Sequence, residues 1–139
     1  MSTHAESAFE ITGWDEEDVF DADGVRIYRV KVAKALTGEL EGTAAGEMTM
    51  AMAPGDSAAY VGFDRLEVTV GGRRGSFVIR HNASMHAGGG DAAWDIVPGS
   101  GTGELSGIRG TSTVAKDADG KHTYAIDYDL EEPGPVPAP

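Results

Sequence analysis

Four side chains carry most of the chemistry this sequence could perform: His81, Glu47, Arg65 and Asp64. A histidine and a carboxylate in an apolar setting can pass a proton to and from a substrate. An arginine beside them can steady an oxyanion or polarise a carbonyl. Such groups become informative when buried, because a charge taken out of water must be paired or have its pKa shifted. Alternation gives the first test. Phe77, Ile79, His81, Ala83 and Met85 share one mostly apolar face, so His81 is expected to point inward, with Ser76, Arg80, Asn82, Ser84 and His86 toward solvent. Tyr60, Asp64 and Leu66 share one face of the preceding run, and Val61, Phe63 and Arg65 the other. Glu47 lies opposite Met48, Met50 and Met52. We take His81 and Glu47 as the acid/base candidates and Arg65 as the anion or carbonyl partner. A structural ion pair is the simpler account of each taken singly.

Around them the sequence offers soft, apolar walls. Methionine fills irregular apolar space, so the Met48, Met50, Met52 stripe is either plain core or one wall of a ligand cavity. Tyr60, Phe63, Phe77, Trp94, Tyr124 and Tyr128 are the aromatic candidates for the remaining walls.

Other chemistries find less support. There are no cysteines, which excludes disulfides, thiol nucleophiles and thiolate metal sites and fits a cytoplasmic setting. Gly101 and Gly103 begin a G-x-G run, but Ser106 stands at the sixth position and no helix follows to receive a phosphate. The two Asp-Ala-Asp-Gly segments at 21–24 and 117–120 lack the later acidic ligands of a calcium loop and read as hairpin turns. His81 and His86 fall on opposite faces of one strand, and there is no HxH or HExxH, so no metal site and no cofactor are expected. Net charge is −12, with basic residues scattered or confined to the Arg73-Arg74 turn. Nucleic acid and anionic membrane are therefore poor partners. The first residues show neither a basic nor an apolar signal region, and no apolar run approaches the roughly 20 residues of a spanning helix.

The elements that must position these side chains are strands. Two runs rich in Val, Ile, Phe and Tyr, within 60–70 and 73–86, flank Gly71-Gly72, and paired glycines accept the positive φ of a tight hairpin turn. The other period-2 segments are 8–14, 25–36, 40–53, 92–97, 104–116 and 122–130. With no helical periodicity, eight such segments predict an all-β chain. Long, sequentially joined antiparallel strands favour an eight-stranded up-and-down β-barrel, whose interior holds packed side chains or one small ligand. Residues 1–7 are expected to fray, 15–24 to form an acidic loop, 8–131 to form the single barrel domain and 132–139 a proline-rich flexible tail.

Five segments carry a resemblance: WDEE (14–17), LTGELEGTAAGEM (36–48), YVGFDRLEVTVGGRRGSFVIRHN (60–82), VPGSGTGELSGIRG (97–110) and YAIDYDLE (124–131). Together they resemble a bacterial family of domains of unknown function, numbered 3224, over nearly all of 8–131. That family is similar in fold to allene oxide cyclase, which implies an antiparallel barrel with a central cavity and, by association among such barrels, a homodimer or homotrimer. Related barrels fold a reactive apolar substrate without a cofactor. The resemblance implies a cofactor-free cyclase or isomerase acting on a hydrophobic small molecule, with a non-catalytic lipocalin-like carrier or sensor as the alternative. A self-filled interaction module is the third reading. The family usually carries Glu where this chain has Asp64, so a carboxylate acting there would reach one methylene less far.

Overall fold

The computed structural model describes residues 2–130. The expected proline-rich tail lies outside the described residues. Nine strands are present among these residues: β1 (Thr3–Ala22), β2 (Val25–Gly38), β3 (Leu40–Ala53), β4 (Ser57–Val70), β5 (Arg73–His86), β6 (Gly89–Ile96), β7 (Thr102–Gly103), β8 (Ile108–Lys116) and β9 (His122–Leu130). Every registered pairing is antiparallel. They run β4-β3-β2-β1-β9-β8-β6-β5-β7, and β4 also pairs with β5. Eight strands therefore close into a ring, and the two-residue β7 adds on to β5. No helix among the described residues is long and apolar enough to cross a membrane.

Turn chemistry sets the hairpins. Gly71 and Gly72 take φ of 59° and 77°, Asp23 and Gly24 take 58° and 79°, and each pair joins two strands with no intervening residue. These are the positive-φ turns that match strand twist.

Three boundaries differ from the sequence reading. Residues 3–7, expected to fray, are strand, with Thr3 opposite Tyr128 and Ser7 opposite Tyr124 on β9. The acidic stretch from Asp15, expected to be a loop, continues β1 to Ala22. Its carboxylates lie across from the bases of β2, Asp15 opposite Lys31, Glu17 opposite Arg29 and Asp21 opposite Arg26, and opposite charges in register support a strand. Register shifts between Ile11 and Gly13 and between Asp18 and Phe20 bend it. The expected strand 104–116 is a turn over 104–107 followed by β8, and the short β7 precedes it within the expected loop.

The interior is built in layers read from the register. The outermost layer holds Arg26, Met52, Ala58 and Met85; Met52 is 46% and Met85 62% exposed. Below it come Tyr28, Met50, Tyr60 and Ala83, then Val30, Met48, Gly62, His81 and Trp94. Asp64, Gly46, Val32, Ile79 and Ile96 form the next layer, and Lys34, Ala44, Leu66 and Phe77 the one beneath. The far end is shut by Leu40, Val70, Leu105 and Ile108, all buried. Fully buried Leu, Ile and Phe side chains each contribute roughly 1.5–3 kcal/mol. The ring thus has a closed apolar floor and a mouth fringed with exposed methionine.

Candidate functional site

The layering places one polar cluster inside the apolar ring. β4 delivers Asp64, β5 delivers His81, β2 delivers Lys34 and β9 delivers Tyr124, each at an inward position of its strand. Lys34 Nζ lies 2.6 Å from Asp64 Oδ2, with side chains 8% and 0% exposed. The Tyr124 hydroxyl donates to the same Oδ2 at 3.4 Å. His81 Nε2 lies 3.6 Å from Asp64 Oδ1, outside hydrogen-bond reach. Asp64 Oδ1 and both ring nitrogens of His81 have no hydrogen-bond partner although buried. Unpaired buried polar atoms cost about 1–3 kcal/mol each, so three in one place call for a reason.

Electrostatics follow from these neighbours. Burial alone would raise the Asp64 pKa, but the His81 imidazole and the Lys34 ammonium outweigh it and hold the carboxyl below its ordinary value. Tyr124 is pushed well above the usual tyrosine value, first by burial and then by the Asp64 charge. Tyr60 is raised for the same two reasons in the same order.

Backbone choice makes room for the carboxylate. Gly46 sits opposite Asp64 on β3, and a Cβ there would collide with Asp64 Oδ1 and the Phe63 carbonyl. Gly62 plays the same part beside Met48, where an added Cβ would lie 2.8 Å from Cγ.

Rings cover the cluster toward the mouth. The Trp94 indole stacks on His81 with centroids 4.4 Å apart and planes 17° from parallel. Tyr60 lies 5.5 Å from His81, and Trp94 lies 6.0 Å from Tyr124. Trp94 belongs to β6, which is registered to β8 through the single pair Asp95 and Thr111. The rim above carries an ordered polar chain. Trp14 Nε1 donates to Glu16 at 2.8 Å, and Arg26 donates to Glu16 at 2.9 Å and Asp18 at 2.7 Å while lying 3.9 Å above the Tyr28 ring.

The expected site residues divide cleanly. His81, Asp64, Tyr124, Phe77 and Tyr128 are buried inside the ring. Trp94, Tyr60, Met48 and Met50 are half-buried between the cluster and the mouth, and Met52 stands exposed at the rim. Three expectations are corrected. Glu47 faces outward, with a side chain 48% exposed and its nearest cation Arg29 at 3.8 Å. Arg65 also faces outward and donates to Glu67 at 2.7 Å and Ser76 at 3.0 Å. Phe63 is 54% exposed. All three sit at outward parity on strands whose inward residues are Met48, Gly62 and Asp64, so none can join His81. Ser76, expected in solvent, is buried beneath β7 through Thr102.

Lys34 is not among the candidates that the sequence singles out. Its signal was present: Tyr28, Val30, Val32, Lys34 and Leu36 form one alternating series, and a lone lysine in such a series must find an anion. Among the described residues no group of three or more His, Cys, Asp or Glu is placed to hold a metal ion.

A family profile described as a protein of unknown function (DUF3224) matches residues 5–128. A solved structure of a protein of unknown function from the same family, from Shewanella oneidensis MR-1, is 32% identical. Its alignment covers 96% of this chain and 100% of that one, with a TM-score of 0.86. No curated protein matches the sequence.

Proposed function

We propose that this chain, which belongs to the DUF3224 family, uses its ring as a barrel of the allene oxide cyclase-like kind, binding a hydrophobic small molecule in the lumen and isomerising or cyclising it without a cofactor. One observation carries the reading: His81 is fully buried with both ring nitrogens unpartnered, 3.6 Å from an ionised Asp64. An imidazole in that position can take a proton from a substrate and return it elsewhere, with Asp64 stabilising the imidazolium between the two steps. Lys34 and Tyr124 hold Asp64 in place from below. The apolar walls formed by Met48, Met50, Tyr60 and Trp94 would hold the substrate folded, so that orientation supplies part of the rate.

His81 and Asp64 have no exposed surface, so substrate reaches them by turning Trp94 aside. The sparse registration of β6 on β8 is what permits that movement. A carrier or sensor is the second reading. It is favoured by the 2.6 Å pairing of Asp64 with Lys34, which already neutralises the carboxylate.

Native mass spectrometry of protein purified gently from its host tests the proposal. A retained apolar metabolite converted by the wild type, but not by His81→Ala, supports the enzyme. The same compound recovered unchanged supports the carrier, and turnover undiminished in His81→Ala removes His81 from the mechanism.

A further inference from the structure

The cluster is oriented as well as buried. Lys34 lies one layer deeper than Asp64, and His81 one layer nearer the mouth. The ammonium takes Oδ2 from below, so the carboxylate turns its unpaired Oδ1 upward toward His81 and the mouth. A molecule descending the lumen therefore meets the negative end of a fixed dipole. The rim adds to this field, because its one arginine, Arg26, is already engaged by two carboxylates, Glu16 and Asp18. Neither end offers an unengaged cation among the residues described above, and the chain as a whole carries −12.

We propose that the ligand is an uncharged apolar molecule whose inner end is a hydroxyl (alcohol, phenol or enol), and that carboxylates are rejected. This rests on the lumen-binding reading above. A hydroxyl is the small neutral group that matches the vacant partners: it donates to Asp64 Oδ1 and accepts from His81 Nε2–H in the tautomer protonated there. A carboxylate would place two like charges within a few ångströms in a low-dielectric interior. An ammonium could donate to Oδ1 but would bring a full charge out of water among apolar walls.

Equilibrium dialysis with three probes on one skeleton tests the proposal at pH 7: 2-naphthol, 2-naphthoate and 2-(aminomethyl)naphthalene. The expected result is 2-naphthol bound at least about tenfold tighter than either charged probe. Equal or tighter binding of the naphthoate or the amine overturns the proposal and leaves lumen binding standing. Failure of all three to bind overturns both. Two variants separate the cause. His81→Gln keeps the Asp64–Lys34 pair and should weaken 2-naphthol while still rejecting the naphthoate. Paired replacement, Asp64→Asn with Lys34→Met, should narrow the naphthol-to-naphthoate gap, and an undiminished gap would show that Asp64 does not set it.

Discussion

Lys34 Nζ and Asp64 Oδ2 lie 2.6 Å apart inside the ring, and neither side chain is more than 8% exposed. Each is the reason the other can be there. Removing one partner leaves an uncompensated buried charge, whereas removing both leaves an apolar site of similar size. Lys34→Met or Asp64→Asn alone should lower unfolding free energy by about 3–5 kcal/mol, and the double replacement should cost less than either. Urea denaturation of the three variants checks this. Additive losses would mean that the two side chains do not depend on each other.

Acid should act through the same pair. The Asp64 pKa is depressed in the folded state, since its pairing outweighs its burial. A depressed carboxyl contributes stability above its unfolded pKa of about 3.9, lost as pH falls through the folded value. Stability of the wild type should therefore drop more steeply below about pH 4 than that of the Asp64→Asn, Lys34→Met double variant. Parallel pH profiles would contradict the assignment.

At the surface, His4 ties β1 to β9. Its protonated ring donates from Nε2 to Glu6 and from Nδ1 to Asp127, at 2.8 Å each, and these partners raise its pKa above the ordinary 6.5. A raised histidine stabilises the fold below its unfolded pKa and loses that contribution as pH rises through the folded one. Proton NMR titration should place the His4 midpoint above 6.5, and His4→Gln should flatten the thermal melting profile across that window. A His4 midpoint at or below 6.5 would rule out the pairing in solution.

Glycine at 46 is a packing requirement. Gly46→Ala should cost about 1–3 kcal/mol, because its methyl meets the Asp64 carboxylate and the backbone of β4. Gly13→Ala is the control. Its added carbon would lie 3.4 Å from the Ala33 methyl, an ordinary contact, so the change should stay within about 0.5 kcal/mol. Equal melting temperatures for the two variants would remove Gly46 from the account of the site.

Much of this was legible in the sequence because a two-residue period records which face is buried. Alternation put His81 at an inward position, and the structure agrees. It set Asp64 on the face opposite Phe63 and Arg65 without telling which face is inner, so Phe63 and Arg65 were wrongly expected at the site although both are exposed. The Gly71-Gly72 turn marked the central hairpin for the same local reason. What alternation cannot state is which inward residues from distant strands meet. Lys34 and Asp64 are 30 residues apart and join through the register of β2, β3 and β4, a pairing that no local pattern encodes. Glu47 was misplaced as a partner of His81 although its parity already set it opposite the methionines. The acidic stretch after Trp14 was read as a loop because charge density signals solvent, whereas here the opposing bases on β2 keep it a strand.

The most direct test of the account is a side-chain ¹H–¹⁵N NMR titration of the four histidines with 2-naphthol. His81 lies inside the ring, while His4 is bound at the β1–β9 seam, His86 is exposed at the β5 end and His122 stacks on Phe9. The His81 ring nitrogens should shift to saturation while those of the other three stay in place. An unmoved His81 across a saturating titration would contradict the account.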